Sequence, residues 1–562
     1  MMTKILLVLC LCLSLFSCKT TAKNTYTLRG SAEGYNGNIT VEIYVDNKEI
    51  KEIEMVENFE SRVYTNAIIE TIDNVKAMHS TDIDTIAGAT ISSKATLLAI
   101  ENAITKSDEE IKFYEPKEIA DTYADIVIIG AGGAGLIAAI EAKTLGFEKV
   151  RVIEKMPFSG GNTRMSGGEY AAANNWLQKD ELDSPEIFAE DIYREGNYIA
   201  NKSLIEAVSK NANTDLEWLR NELKVPFQDK LIWAEGHTYP RTVLLDNSEE
   251  MYIDIITAKA EEIGVDIDYN TSAYELIVEE DKVVGVKASK ANKDVNYFAE
   301  DGVIIATGGF GYNFDMVEEY FDNPKLDITR IKTDNSPSIT GDGIIMAQDV
   351  GAKLVDMKEI QIYPINNPAT NFYYQIDYAR ILDNAILVNT NGDRFTNEKL
   401  NRKKLTDAII NEEHQTCYEI INPEAITRMD LLNEYKEEIN SCLKQDVLVY
   451  GDLKECSVRF NLPYENLLES VKSIEGYEYH EDDKFICFVS CLSIHYTMGG
   501  IAINDRAEVL NTNNEVINNL YAIGEVTGGI YGENRIGSTS LTETVVFGRI
   551  AARTIYNKTK HD

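Results

Sequence analysis

Glycines at 130, 132 and 135, followed by a glutamate at 154, have the types and spacing to hold two phosphates and a sugar. They lie in residues 125–155, DIVIIGAGGAGLIAAIEAKTLGFEKVRVIEK. A pyrophosphate needs backbone N–H donors with no side chain in the way. Gly130 can make the tight turn, Gly132 lets the backbone approach the phosphates, and Gly135 lets a helix close onto a strand. The helix N-terminus favours the anion, and Glu154 can accept from ribose hydroxyls. The elements that must position these residues are present. Residues 126–129 form a short apolar run suited to a buried strand. Residues 136–145 have helical composition and stop at Gly146, and 150–153 make a second buried strand. A bare glycine motif is weak; strand, turn, helix, strand and acid in register predict a dinucleotide site.

More glycine-rich strand ends bear on which dinucleotide. SGGNTRMSGG at 159–168 contributes Gly161, Asn162, Thr163 and Gly168. VIIATGGF at 303–310 contributes Thr307, Gly308 and Gly309. Gly341-Asp342-Gly343 opens a helix, and in LYAIGEVTGGIYGENR at 520–535 a strand ends on Gly524-Glu525. Ordinary tight turns explain any one of these. Together they suit a long, non-covalently held FAD lying along the C-terminal edges of one sheet, touching Asp342 and Glu525 as well.

The chain's 562 residues allow several domains, and its formal net charge of −38 argues against nucleic acid as a partner. Lys4 and the apolar run 5–16 look like a signal sequence, too short to span a bilayer as a resident helix. Leu-Phe-Ser-Cys at 15–18 resembles a bacterial lipobox, making 1–18 a leader and Cys18 the lipidated residue. A plain signal peptide is the alternative. Either way the chain is expected to be exported, to the periplasm or to a lipid anchor on the outer face of the cytoplasmic membrane. No CxxCH is present for c-type haem, so electrons need another carrier.

Residues 26–108 form a unit of their own, with a hairpin of strands at 39–45 and 49–55 around Asp46-Asn47-Lys48. In DTIAGATISSKATLLAIENAI, 84–104, a Gly-Ala-Thr turn precedes a helix capped by Ser92 or Ser93. Charged residues at 106–121 form a linker. The dinucleotide domain covers 122–354, including paired strands near 282–287 with a Val-Val-Gly turn. A polar, Asn- and Tyr-rich stretch, 355–495, reads as an inserted capping domain, and 496–557 returns to the first domain and ends in a helix from about 542. The expected fold class is α/β: a Rossmann-like FAD-binding domain split by an α+β cap and preceded by a small α+β domain.

That small domain resembles the FMN-binding domain that carries flavin through a phosphodiester to the threonine of an Asp-x-x-(Ser/Thr)-Gly-Ala-Thr motif. The threonine is Thr90 here, and position 87 is alanine. The whole chain after the leader is similar to the flavoprotein fumarate reductase family, which includes urocanate reductases. Its soluble flavocytochrome members carry haems where this chain has the FMN domain.

The resemblance implies site roles. NAILVNTNGDRFTNEKLNR, 384–402, makes Arg402 the proton donor. Asp377 and Arg380 match the acid–arginine pair that relays protons to it, with one extra residue before the following strand. GENRIGSTSL, 532–541, makes Arg535 the clamp on a substrate carboxylate. Arginines held against that carboxylate stabilise the charge that builds there as hydride arrives. Without the family frame, Arg402 would read as a surface arginine on a basic helix. In IHYTMGG, 494–500, Tyr496 replaces the second histidine of the family's His-His-Thr-Met-Gly-Gly, and His495 reads as structural. Tyr363 in QIYPI replaces the histidine of fumarate reductases, as urocanate reductases do. Those enzymes also use aspartate at the position of Asp377. Ile376 stands where a threonine would help bind a second carboxylate. His237, before the cap, lies within possible reach of the flavin.

These features imply reduction of the C=C bond of an α,β-unsaturated carboxylate, as a terminal step of anaerobic respiration. The expected substrate is a urocanate-like or other aromatic enoate bound by Arg535, Tyr363 and Tyr496. The implied partners are a membrane or extracytoplasmic electron donor and a flavin transferase. Fumarate reduction, a ketosteroid-type dehydrogenase and a flavin electron-transfer lipoprotein are the alternatives.

Overall fold

Alternating apolar residues in the first 110 positions build a sheet with one buried face. In the computed structural model, Thr25–Glu33, Asn38–Asp46 and Glu49–Glu57 pair antiparallel. Val41, Ile43 and Val45 point inward against Ile68, Ile72, Val75, Ala99 and Ile100 of two helices, Arg62–Met78 and Thr90–Ile104. Burying each such side chain contributes roughly 1.5–3 kcal/mol. The hairpin turns at Asn47 and Lys48, both with positive φ. Gly30 lets the second helix close on the sheet: a Cβ there would lie 1.9 Å from the Ala99 carbonyl oxygen.

The structure describes residues 25–35, 37–59, 62–83, 90–108, 110–113, 119–179, 182–248, 250–290, 293–321, 323–382 and 385–561. The leader with Cys18, residues 84–89 and the Thr90 side chain lie outside the described ones. Two compact units result, Met1–Lys117 and Glu118–Asp562. Two expectations for the first unit need correction. Its second helix begins at Thr90, so Ser92 and Ser93 are buried in the first turn and do not cap it. Lys112–Phe113, inside the expected linker, pairs parallel with Glu49 and Ile50 as an edge strand.

In the second unit the apolar β-branched runs form a parallel core. Its order is Asp266–Asp268, Val150–Ile153, Thr122–Ile129, Lys293–Ile305 and Val516–Ala522. Parallel strands buried on both faces need such continuous apolar runs. Gly133–Leu145 follows the first of these strands in the chain, and Gly146, at φ 104°, ends that helix by bonding back to Ala142 and Lys143. The C-terminal helix Ser540–His561 packs on it. The Val-Val-Gly turn is not a turn. Glu280 and Asp281 make it, and Gly285 sits inside the strand Lys282–Lys290, where a Cβ would meet the Tyr297 carbonyl at 2.3 Å.

Between residues 355 and 495 the chain leaves that sheet. Ile386–Val388, Tyr418–Ile421, Phe485–Val489 and Leu448–Gly451 form an antiparallel sheet with its own apolar cluster. Ile360–Asn366 and Cys491–Thr497, the two ends of the stretch, pair antiparallel. The stretch belongs to the same compact unit as the parallel sheet.

Candidate active site

The carboxyl ends of the parallel strands open onto one cavity of about 1890 Å³, its mouth included. Gly130, Gly132, Glu154, Gly161, Asn162, Thr163, Thr307, Gly308, Asp342 and Glu525 stand in its wall together with Tyr363, Asp377, Arg402, Tyr496 and Arg535.

The three glycines divide the labour that their spacing suggests. Gly130 has φ 109°, and a Cβ there would lie 2.4 Å from the Ala306 carbonyl oxygen. A Cβ on Gly135 would lie 2.0 Å from the Gly130 carbonyl oxygen, so helix and strand touch there. On Gly132 it would meet nothing nearer than Gly160 O at 3.7 Å, and no side chain caps the helix that starts there. A phosphate can therefore approach that backbone.

Glu154 accepts from the N–H groups of Ala131 (2.8 Å) and Met156 (2.9 Å), which leaves each oxygen a lone pair for a hydroxyl. Burial raises its pKa, against those two bonds. Thr307 presents a buried hydroxyl with no partner. These residues fit FAD.

Other predicted cofactor residues support the cradle. Asn162 donates to Asn335 Oδ1 (2.7 Å) and Glu525 Oε2 (2.9 Å), bracing two strand ends. Glu525 also accepts from the Thr497 N–H at 3.0 Å, and burial raises its pKa. Thr163 Oγ1 accepts from Gly133 N at 3.1 Å. Asp342 pairs with Lys155 at 2.6 Å. Gly168 and Gly309 lie outside the cavity wall. Gly168 is a turn at φ 76°, and Gly309 is pressed under Thr497, where a Cβ would sit 1.9 Å from the hydroxyl.

Two arginines face the rest of the cavity. Arg402 is the first residue of the helix Arg402–Ile410, whose N-cap is the Asn401 side chain. Its guanidinium lies 4.8 Å over the Tyr363 ring, reaches Gln361 Oε1 at 3.4 Å and Glu235 Oε2 at 3.5 Å. Burial lowers its pKa, but Tyr363, Glu235, Glu169 and Tyr378 together outweigh burial and the net shift is upward.

Arg535 is buried at 4 % exposure, and its Nε has no partner. Its Nη2 donates to His495 Nε2 at 3.0 Å, and its guanidinium lies 4.7 Å from the Tyr496 ring. No carboxylate pairs with it among the described residues. Burial and the neighbouring Arg402 lower its pKa. The amide of Gln361 ties the two arginines together, since its Nε2 donates to Asn534 Oδ1 (3.1 Å) and to the Arg535 carbonyl (2.9 Å).

His495 holds Arg535 from behind. Its Nε2 accepts from Arg535, so Nδ1 carries the proton and donates to Asp334 at 2.8 Å. Burial keeps it neutral. The Tyr496 hydroxyl donates to Glu543 at 2.8 Å, so what it offers the cavity is its ring. Asp377 and Arg380 form a buried two-pronged pair at 2.6 and 2.9 Å, with Asp377 in the cavity wall and Arg380 behind it. Removing one partner of such a pair costs about 3–5 kcal/mol.

Ile376 is buried but does not line the cavity. The short helix Gln375–Asp377 turns Asp377 inward instead, and the Ile376 N–H is bound to Glu438. His237 is outside the wall too. It accepts from Arg241 and donates to the Gly537 carbonyl, and burial lowers its pKa to about 4. The sequence reading missed Glu169, Glu235, Tyr373 and Tyr378, all in the wall. Glu169 accepts from Tyr378 (3.0 Å) and Ser538 (2.6 Å).

Residues 125–541 match a family model described as FAD binding domain, and 34–105 match one described as FMN-binding domain. The urocanate reductase of Eggerthella lenta is 32% identical over 553 residues, covering 93% of this chain and 91% of its own. The chain belongs to the fumarate reductase/urocanate reductase flavoprotein family. It is an FAD-dependent oxidoreductase with an N-terminal FMN-binding domain. Another family relative, the NADH:fumarate oxidoreductase of Klebsiella pneumoniae, is 30% identical over 536 residues, which is 91% of this chain and 56% of that one. The open conformation of a flavocytochrome c3 fumarate reductase superposes with a TM-score of 0.67 at 26% identity, covering 85% of each chain. The mixed α/β fold is that of the family's flavoproteins.

Proposed function

We propose that the chain reduces the C=C bond of an α,β-unsaturated monocarboxylate bearing a planar ring, with fumarate a poorer substrate. Arg535 carries the reading. A buried cation with an unpartnered Nε and, among the described residues, no carboxylate paired with it, in the wall of the cavity that the glycine turns share, calls for an anionic ligand.

FAD, held by the cradle of Gly130, Gly132 and Glu154, would supply a hydride equivalent to one alkene carbon once reduced. Arg535 holds the carboxylate and stabilises the negative charge that grows on it. Arg402 gives a proton to the other alkene carbon and regains one through the Asp377–Arg380 pair. Hydride plus proton saturates the bond, with no other reactant. The stretch 355–495 caps the substrate.

Ring preference follows from what lines the cavity besides arginine. Tyr363, Tyr373 and Phe372 offer ring faces, and Glu169 and Glu235 offer carboxylates. A second substrate carboxylate would meet like charges there. A ring bearing N–H groups would find acceptors and stacking partners. The likeness to a urocanate reductase supports the same choice.

In this reading the leader directs export. Cys18 is lipidated and anchors the chain on the outer face of the cytoplasmic membrane or in the periplasm. A flavin transferase joins FMN to Thr90, and electrons pass from a membrane or extracytoplasmic donor through FMN to FAD, ending an anaerobic respiratory chain. Purified protein should show flavin fluorescence on a denaturing gel, and Thr90→Ala should abolish it while FAD remains. Fluorescence that survives in Thr90→Ala would place the attachment elsewhere. For the reaction, anaerobic reduced viologen should be oxidised when an enoate is added, with the saturated acid as product. No oxidation with any enoate would overturn the proposal.

A further inference from the structure

One buried acid beside the arginine pair has no role in the scheme above. Glu419 lies on Tyr418–Ile421, an inner strand of the antiparallel sheet, and is fully buried. No donor reaches either of its oxygens. The charged and titratable groups facing it are Asp377, Arg380 and Glu398, with Cys417 just before its own strand, Cys487 on the next and Tyr374 beyond. The arginine is already committed, because its fork holds both oxygens of Asp377.

An ionised carboxylate cannot be kept in such a place without donors. Burial first, and then the Asp377 carboxylate beside it, raise the Glu419 pKa well above its usual range. The group is therefore a carboxylic acid at neutral pH, and its O–H donates to the free lone pairs of Asp377. Further polar groups lie on the outer side of Arg380. Arg380 donates to the Glu398 carbonyl, and the Glu398 carboxylate holds the half-exposed Arg394 at 2.7 and 2.8 Å.

We infer that Glu419 stores the proton that recharges Arg402 after each turnover, passing it through Asp377. The inference rests on the enoate reduction proposed above. Arg402 loses a proton to the substrate carbon. Asp377 takes the Glu419 proton and passes it to Arg402, so that it is a carboxylate again at the end. Glu419 is left ionised and recovers a proton from solvent. No electrons move in these steps. Glu419 is a positioning residue, since it acts through Asp377.

Two variants separate this role from a packing role. Glu419→Gln keeps size and polarity, and Glu419→Leu keeps size alone, so a merely structural residue would respond to them differently. Both should lower kcat about tenfold or more with KM unchanged, as loss of a proton donor does. The unchanged chain should lose rate as pH rises through the Glu419 pKa, and both variants should remove that fall. FAD content and FAD reduction by viologen should not change. Infrared spectra of the holoprotein at neutral pH should show a protonated-carboxyl band that Glu419→Gln removes.

A missing band in the unchanged chain overturns the inference whatever the activity. So do variants whose kcat and pH profile stay within twofold of the parent. If the unchanged chain reduces no enoate, the proposed reaction fails, and the band still decides whether Glu419 stores a proton.

Discussion

Replacing Arg402 by alanine is expected to lower kcat for enoate reduction by about 10² or more while FAD stays bound. The helix it starts is capped by Asn401, so the first turn does not depend on the arginine. Its contacts are with cavity groups: the Tyr363 ring, Gln361 and Glu235. On the proposed scheme truncation therefore removes the proton donor and part of the positive field and leaves the scaffold. A cation at a helix N-terminus faces the positive end of the dipole, which favours release of a proton. Tyr363 and Glu235 oppose this and keep the group charged until substrate arrives. Lysine cannot restore the fork geometry and should recover little. Steady-state rates with reduced viologen, alongside FAD absorbance, check the expectation. A variant within a few-fold of the parent would make Arg402 a bystander.

Arg535→Met is expected to lower kcat/KM by about 10² to 10³. Losing one partner of a buried charge pair costs about 2–5 kcal/mol, and the partner proposed here is the substrate carboxylate. KM should rise along with the fall in kcat, because the clamp acts in both binding and charge stabilisation. Folding should survive, since no carboxylate in the described protein pairs with Arg535 and methionine fills much of its volume. His495 loses the donor to its Nε2 but keeps its bond to Asp334, and the Tyr496 ring loses a neighbour. Initial rates over a range of enoate concentration would separate the two parameters. An unchanged kcat/KM would show that the carboxylate binds elsewhere.

The cofactor half of this site was legible because it is built from backbone. Glycine is the residue that a close approach or a left-handed φ selects, so Gly130, Gly132 and Gly135 announce themselves in order. Gly168 and Gly309 look the same in sequence, yet one makes a turn just outside the cavity wall and the other gives way to Thr497. Only the tertiary fold separates those cases. Arg402 and Arg535 needed a family likeness, since arginine is common on surfaces. Glu169, Glu235 and Glu419 gave no signal at all. Among 92 acidic residues, a buried carboxylate looks like any solvated one until burial is known. Ile376 misled because a single short helical turn decides whether position 376 or 377 meets the cavity.

The same distinction explains the errors in secondary structure. Ser92 and Ser93 are good cap residues, but tertiary packing extends the helix back to Thr90. Val283-Val284-Gly285 contains glycine yet lies within a strand, because that glycine admits the neighbouring chain. Local propensity proposed a boundary in each case, and packing moved it.

The central claim concerns what the arginines hold and what the rest of the cavity accepts. It is tested most directly by kcat/KM for urocanate, cinnamate and fumarate, measured with the same reduced viologen donor. All turnover should be at the C=C bond, with urocanate or cinnamate ahead of fumarate, because Glu169, Glu235 and the tyrosine rings disfavour a second carboxylate. A clear preference for fumarate, or no alkene reduction at all, would contradict the account.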